Sequence, residues 1–165
     1  TGTYGPNVSI FAVARQDGGT SYQRLMSLDV DIRAFFGSLN GNFATFFGNN
    51  GWNDTTANTP SIAVTSARVL GVVNPTSGRD ATPYVDGTAQ NTKVGMIVTA
   101  NGLAIGSLMA LATQFWFGIV AEIIIVNSAV TTTVRQLIEG YLAWKWGLTA
   151  NLSNDHPFKF NPPLA

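Results

Sequence analysis

At 165 residues the chain is long enough for one domain with a real core, and 45% apolar residues with 17 glycines favour a sheet protein over a helical bundle. Only 11% of residues are charged, and nine cations balance nine anions. That balance excludes the basic footprint of a nucleic-acid binder and the polybasic segment of a lipid-surface protein. The absence of cysteine removes disulfides, thiolate metal sites and a cysteine nucleophile. The longest apolar run is interrupted by Gly118 and Glu122, so no membrane-spanning helix is expected. A surface so weakly charged has little long-range repulsion between copies, and self-association or assembly with other surface proteins is expected.

The chain opens on Thr1 without a signal-like apolar segment, which reads as a processed start or a fragment. Asn7 to Arg15 alternates as a strand, with Val8, Ile10, Ala12 and Ala14 on one face and Phe11 and Val13 on the other. After the turn at Gln16-Asp17-Gly18-Gly19 come short strands over Tyr22 to Leu28 and Ile32 to Leu39. Asn40-Gly41 is a strong hairpin signal, leading into Phe43 to Phe47 and then a polar loop from Gly48 to Pro60. Ser61 to Ser66 and Arg68 to Asn74 are strand-like. A hairpin over Pro83 to Ala89 has Asp86-Gly87 at its tip. Lys93 to Thr99, a turn at Asn101-Gly102 and Leu103 to Ser107 continue the pattern, with turn residues at the regular spacing of an antiparallel sandwich.

Phe117 to Val126 is apolar on both alternating faces apart from Gly118 and Glu122, which predicts a strand covered on both sides. The period then changes. Val134, Leu137, Ile138, Tyr141 and Leu142 form one helical stripe, predicted to face inward, with Thr131 as N-cap and Gly147 at C′. Arg135 and Glu139 are then assigned to the wet face, and at least one of Trp144 and Trp146 to the core. The tail after Leu148 has no periodicity and is expected to be pinned by Phe158 and Phe160. The expected fold is all-β: an antiparallel jelly-roll-like sandwich, one domain over 1–165, with a single C-terminal helix over about 131–146.

The strand RVLGVV, the YVDG hairpin, GLAIGS and FGIVAEIIIVNSAVTTT, in that order, resemble the concanavalin A-like lectin/glucanase superfamily in its laminin-G-like jelly-roll branch. The closing segment RQLIEGYLAWKWGLTANLSNDHPFKFNPP is similar to the end of lectin-like domains in bacteriophage and bacterial surface proteins. The resemblance runs from about Val8 to Pro163. Such domains carry further strands ahead of the part matching SIFAVARQDGG, so N-terminal strands are expected to be missing. The resulting open edge is expected to be filled by a neighbouring subunit or a partner strand.

Glucanases of the superfamily carry clustered carboxylates, as glycosidic cleavage requires. Here Glu122 stands alone in AEIII, Glu139 is assigned to the helix surface, and Asp29 and Asp31 lie at a turn, so no enzyme is expected. His156, the one histidine, is read as a packing or surface residue. The best binding candidate is the polar loop, where Trp52 is flanked by Asn49, Asn50, Asn53 and Asp54. An aromatic face can stack on the C–H side of a pyranose while amides and a carboxylate fork to its hydroxyls, although the same residue types also build ordinary tight loops. Tyr84 and Asp86 in the hairpin are secondary candidates. No cofactor is expected. Asp54 is a weak Ca²⁺ candidate that would need Asp17, Asp80 or Asp86 to converge on it. Asn7, Asn53 and Asn151 match the glycan-acceptor pattern. The leading expectation is a non-catalytic structural module of a virion or extracellular assembly, such as a phage decoration, fibre or tail component. The alternative is a lectin for host-surface glycans, and the third reading a degenerate glucanase.

Overall fold

In a computed structural model, the described residues are 7–19, 22–28, 34–47, 53–54, 63–74, 81–90, 102–107 and 113–164. Ten strands are assigned among them: β1 (Val8–Gln16), β2 (Gln23–Ser27), β3 (Ala34–Leu39), β4 (Asn42–Phe47), β5 (Asn53–Asp54), β6 (Arg68–Asn74), β7 (Thr82–Val85), β8 (Thr88–Ala89), β9 (Ala104–Ile105) and β10 (Gly118–Val126). Helix α1 (Thr132–Lys145) and a 3₁₀ turn over Thr149–Asn151 follow. The strands form two antiparallel sheets, ordered β10-β1-β6-β7-β8 and β5-β4-β3-β2-β9. Strands β1 and β6 lie inside the first sheet, which explains why the β1 segment reads as apolar on two faces.

The alternation in β1 divides the core as the sequence predicts. Val8, Ile10, Ala12 and Ala14 join Leu70, Val72 and Val85 from the same sheet, and Leu25, Met26 and Phe43 from the other, in the layer between the sheets. Phe11 and Val13, with Val69, point to the opposite face, where Leu142 and Ala143 of α1 and Leu152 of the tail cover them. The molecule is therefore a two-sheet sandwich with one helix on its outside, as expected. Both hairpin signals hold. Asn40-Gly41 and Asp86-Gly87 each adopt φ of 51° and 81°, the left-handed pair that lets a two-residue turn follow strand twist.

The strand Phe117 to Val126 differs from its prediction. Its two faces do pack, Val120, Ile123 and Ile125 inward and Ala121 and Ile124 toward the helix, but β10 is an edge strand bonded to β1 alone among the described strands. A bulge makes the register skip Ala121, so Val13 pairs with Glu122 and Ala14 with Val120. The extra residue leaves Ala121 and Glu122 together on the helix side, the re-aiming that bulges perform. In place of a strand over Ser61 to Ser66, the described part shows an isolated bridge from Ala63 to Asn42 and a bend at Thr65 and Ser66. Lys93 to Thr99 lies outside the described residues.

The connection into α1 is fixed from beneath. The buried Ser9 hydroxyl donates to the Ser128 carbonyl at 2.8 Å and accepts from the Val130 N–H at 3.0 Å. Thr131 caps the helix through its hydroxyl to the Val134 N–H, and Gly147 follows the last turn at φ 69°. The phase of the helix is the main correction. Its buried residues are Arg135, Glu139, Gly140, Leu142 and Ala143, while Val134, Leu137 and Tyr141 from the predicted inward stripe are exposed. The helix is apolar over more than one face, so periodicity alone does not select which face docks; the polar partners under Arg135 and Glu139 do. Trp144 and Trp146 are both exposed, against the expectation of a core indole. The tail is held by buried Leu152 and His156 and by Phe158, which packs against Gly140 as expected, whereas Phe160 is 71% exposed, against its expected pinning role.

Candidate functional site

The polar loop after β4 is described only at β5, where Asn53 pairs with Thr45 and Asp54 with Ala44 at the edge of the second sheet. Asn49, Asn50 and Trp52 lie outside the described residues, as does Asp80. Asp17 is bonded to Arg15 at 2.6 Å, and Asp86 to Arg68 at 2.7 Å, so each already has a cationic partner. Among the described residues no three His, Asp or Glu side chains group as a metal site would require.

The secondary candidates fall into a built junction between the hairpin, α1 and the tail. Asp86 is buried, and its carboxylate accepts from Arg68 and from the Val69 N–H at 3.0 Å, locking the hairpin tip onto β6. Burial is the largest influence on this carboxyl and leaves it above the ordinary aspartate range despite those bonds. Tyr84 faces the helix, and the Arg135 guanidinium stacks over its ring at 4.1 Å from the centroid. Arg135 also donates to Glu139 one turn on and to the Gly87 carbonyl at 3.4 Å. His156 reaches the same Glu139 oxygen at 3.4 Å, while its Nδ1 accepts from the Phe158 N–H at 3.2 Å. A ring that accepts at Nδ1 carries its proton on Nε2, directed at the carboxylate.

Gly87 is required here. A Cβ at that position would stand 2.7 Å from His156 Cδ2. Beside it opens a cavity of about 220 Å³, lined by Gly87, Thr88, Gln136, Ser153, Asp155 and His156. Hydroxyl, amide, carboxylate and imidazole groups line this space. None of Thr88, Gln136, Ser153 and Asp155 stands out in the sequence, because the topology alone brings the hairpin to the tail. The usable signal was Arg135 and Glu139 at i, i+4 on a helix that is apolar elsewhere.

A second cluster forms where the bulge aims Glu122 at the end of α1. Its carboxylate accepts from Trp146 Nε1 at 2.7 Å, Lys145 Nζ at 3.0 Å and the Tyr141 hydroxyl at 3.1 Å. Burial is the largest single influence and pushes this carboxyl up, but the bonds from Trp146, Lys145 and Tyr141 together hold it below the ordinary range. Glu122 is thus far from solitary, and Glu139 is buried where the sequence suggests exposure. The two glutamates belong to separate clusters, each with its own cation.

No protein-family model and no curated protein sequence matches this chain. Solved structures do. Domain 4 of AbnA, a GH43 extracellular arabinanase from Geobacillus stearothermophilus, in complex with arabinotriose, superposes with a TM-score of 0.59 at 14% identity, covering 78% of this chain and 64% of that one. A putative carbohydrate binding protein from Bacteroides ovatus gives 0.63 at 13% identity over 80% of this chain and 40% of its own. A native heptameric SAP-like pentraxin from Limulus polyphemus gives 0.61 at 10% identity over 82% and 70%. The chain spans less than two thirds of the length of the first two. These likenesses bear on the architecture alone: the chain shares with these structures an all-β sandwich of two antiparallel sheets.

Proposed function

We propose that the chain is a carbohydrate-binding module whose role is to bind and not to hydrolyse. The observation that carries this reading is the shared fold with an arabinanase domain solved with arabinotriose and with a putative carbohydrate binding protein. That likeness puts the lectin reading ahead of the virion component favoured by sequence. It also supports an extracellular or surface setting, and no described helix is long and apolar enough to cross a membrane. The proposed contact is the loop carrying Asn49, Asn50, Trp52, Asn53 and Asp54. There the indole would stack on the sugar ring, and the amides and carboxylate would bond its hydroxyls. Stacking buries a large flat apolar face, so it supplies affinity, and the forked polar bonds supply selectivity.

The test is a glycan array followed by calorimetry with arabinotriose and the best array hit. Binding by the wild type and at least a tenfold loss in Trp52→Ala are expected, about 1.4 kcal/mol. Binding kept by Trp52→Ala but lost in Asp155→Ala would move the site to the cavity beside Gly87. No binding to any arrayed glycan would overturn the reading.

A further inference from the structure

We propose that the outward face of α1 is a self-association seam, through which two copies of this chain pack helix against helix about a two-fold axis. The inference is independent of the sugar-binding reading. Val134, Leu137, Tyr141 and Trp144 are spaced by three, four and three residues, the a and d positions of two successive heptads. They are 44%, 43%, 40% and 39% exposed, because the sandwich takes the other side of the helix through Arg135, Glu139, Leu142 and Ala143. A stripe of this spacing is the narrow seam one helix offers another, and it spans roughly 15 Å at about 1.5 Å per residue. It is not the broad apolar face with which a helix covers a sheet.

Three observations point to a second copy as the occupant. The seam is apolar apart from the Tyr141 hydroxyl and the Trp144 indole N–H, both already bonded within the chain, so it complements its own image, as a two-fold interface demands. The charge beside it is already balanced: Lys145 is bonded to Glu122, so docking buries no unpaired ion and presents no free cation to an anionic lipid. The seam also continues onto the flank of β10, the outermost described strand of its sheet. Glu122 of the edge strand β10 is bonded to Tyr141, and Trp146, Ile119 and Phe117 are 41%, 49% and 64% exposed. With aromatic side chains of roughly 150–250 Å² each, the exposed parts amount to several hundred Å². That approaches the ~800 Å² that each partner gives to a stable complex.

Sedimentation velocity on the full chain, over a series from micromolar to submillimolar, is the test. A concentration-dependent dimer is expected. On a two-fold seam every introduced charge appears twice, so Leu137→Lys and Trp144→Glu should each raise the dissociation constant at least tenfold while far-UV circular dichroism stays unchanged. If one variant misfolds, the other still decides. A monomer throughout the series overturns the proposal. So does a dimer that survives both substitutions, which would place the contact on the β10 edge or elsewhere.

Discussion

Glu139 is 1% exposed and holds Arg135, itself only 7% exposed, so removing one partner leaves the other charge away from water. Glu139→Ala is expected to cost about 3–5 kcal/mol, read as a lower urea midpoint with an unchanged slope. Replacing both residues with apolar ones of similar volume should recover most of the loss, since the attraction largely offsets desolvation. Glu122 predicts a pH dependence. Its folded carboxyl lies below the usual range, so its stabilising contribution is present above the unfolded value of about 4.3 and fades as pH falls through the folded value. Glu122→Gln should therefore be less stable than wild type at neutral pH, and the gap should close in acid. Urea midpoints measured at both ends decide it, and a gap that widens in acid contradicts the assignment. Neither residue's role was legible from sequence. Glu122 required the bulge that adds Ala121 to its strand, and Glu139 required the tail to bring His156 back over the helix.

At the scale of elements, local chemistry was legible where it is self-contained. The cap at Thr131, the turn residues Asn40-Gly41 and Asp86-Gly87 and the two-faced alternation of Val8 to Ala14 depend only on neighbours in the chain. The rotation of α1 was not, because Val134, Leu137, Tyr141 and Trp144 compete with Ile138, Leu142 and Ala143 for the core, and propensity does not choose between them. The choice is made by Tyr84 and Gly87 beneath Arg135 and by Phe158 against Gly140, where an added Cβ would lie 2.6 Å from Phe158 Cβ. Gly87→Ala combines a left-handed φ with a clash on His156, and a loss of about 1–3 kcal/mol is expected. Calorimetry should show the melting temperature falling by roughly 2–4 °C per kcal/mol in a chain of this size. An unchanged melting temperature would mean that hairpin and tail are not packed together.

For the whole molecule, regular turn spacing announced a sandwich, and the strand-like reading of Arg68 to Asn74 agreed with β6 inside the first sheet. Strand order was not legible: nothing in Gly118 to Val126 reveals that it is outermost among the described strands of its sheet, since interior and edge strands of this composition read alike. The loop with Trp52 remains a proposal drawn from residue type, while the cavity beside Gly87 came from the assembled fold. The docking of α1 ties these levels together, because the same rotation builds that cavity, buries the Arg135–Glu139 pair and turns the stripe outward. The most direct measurement compares unfolding free energies of Glu139→Ala and Leu137→Lys at concentrations where the chain is monomeric. The expected result is a loss of about 3–5 kcal/mol for the first and within about 0.5 kcal/mol of wild type for the second. A small effect at Glu139 with a large one at Leu137 would mean that the helix docks through its apolar stripe, and would contradict the orientation described.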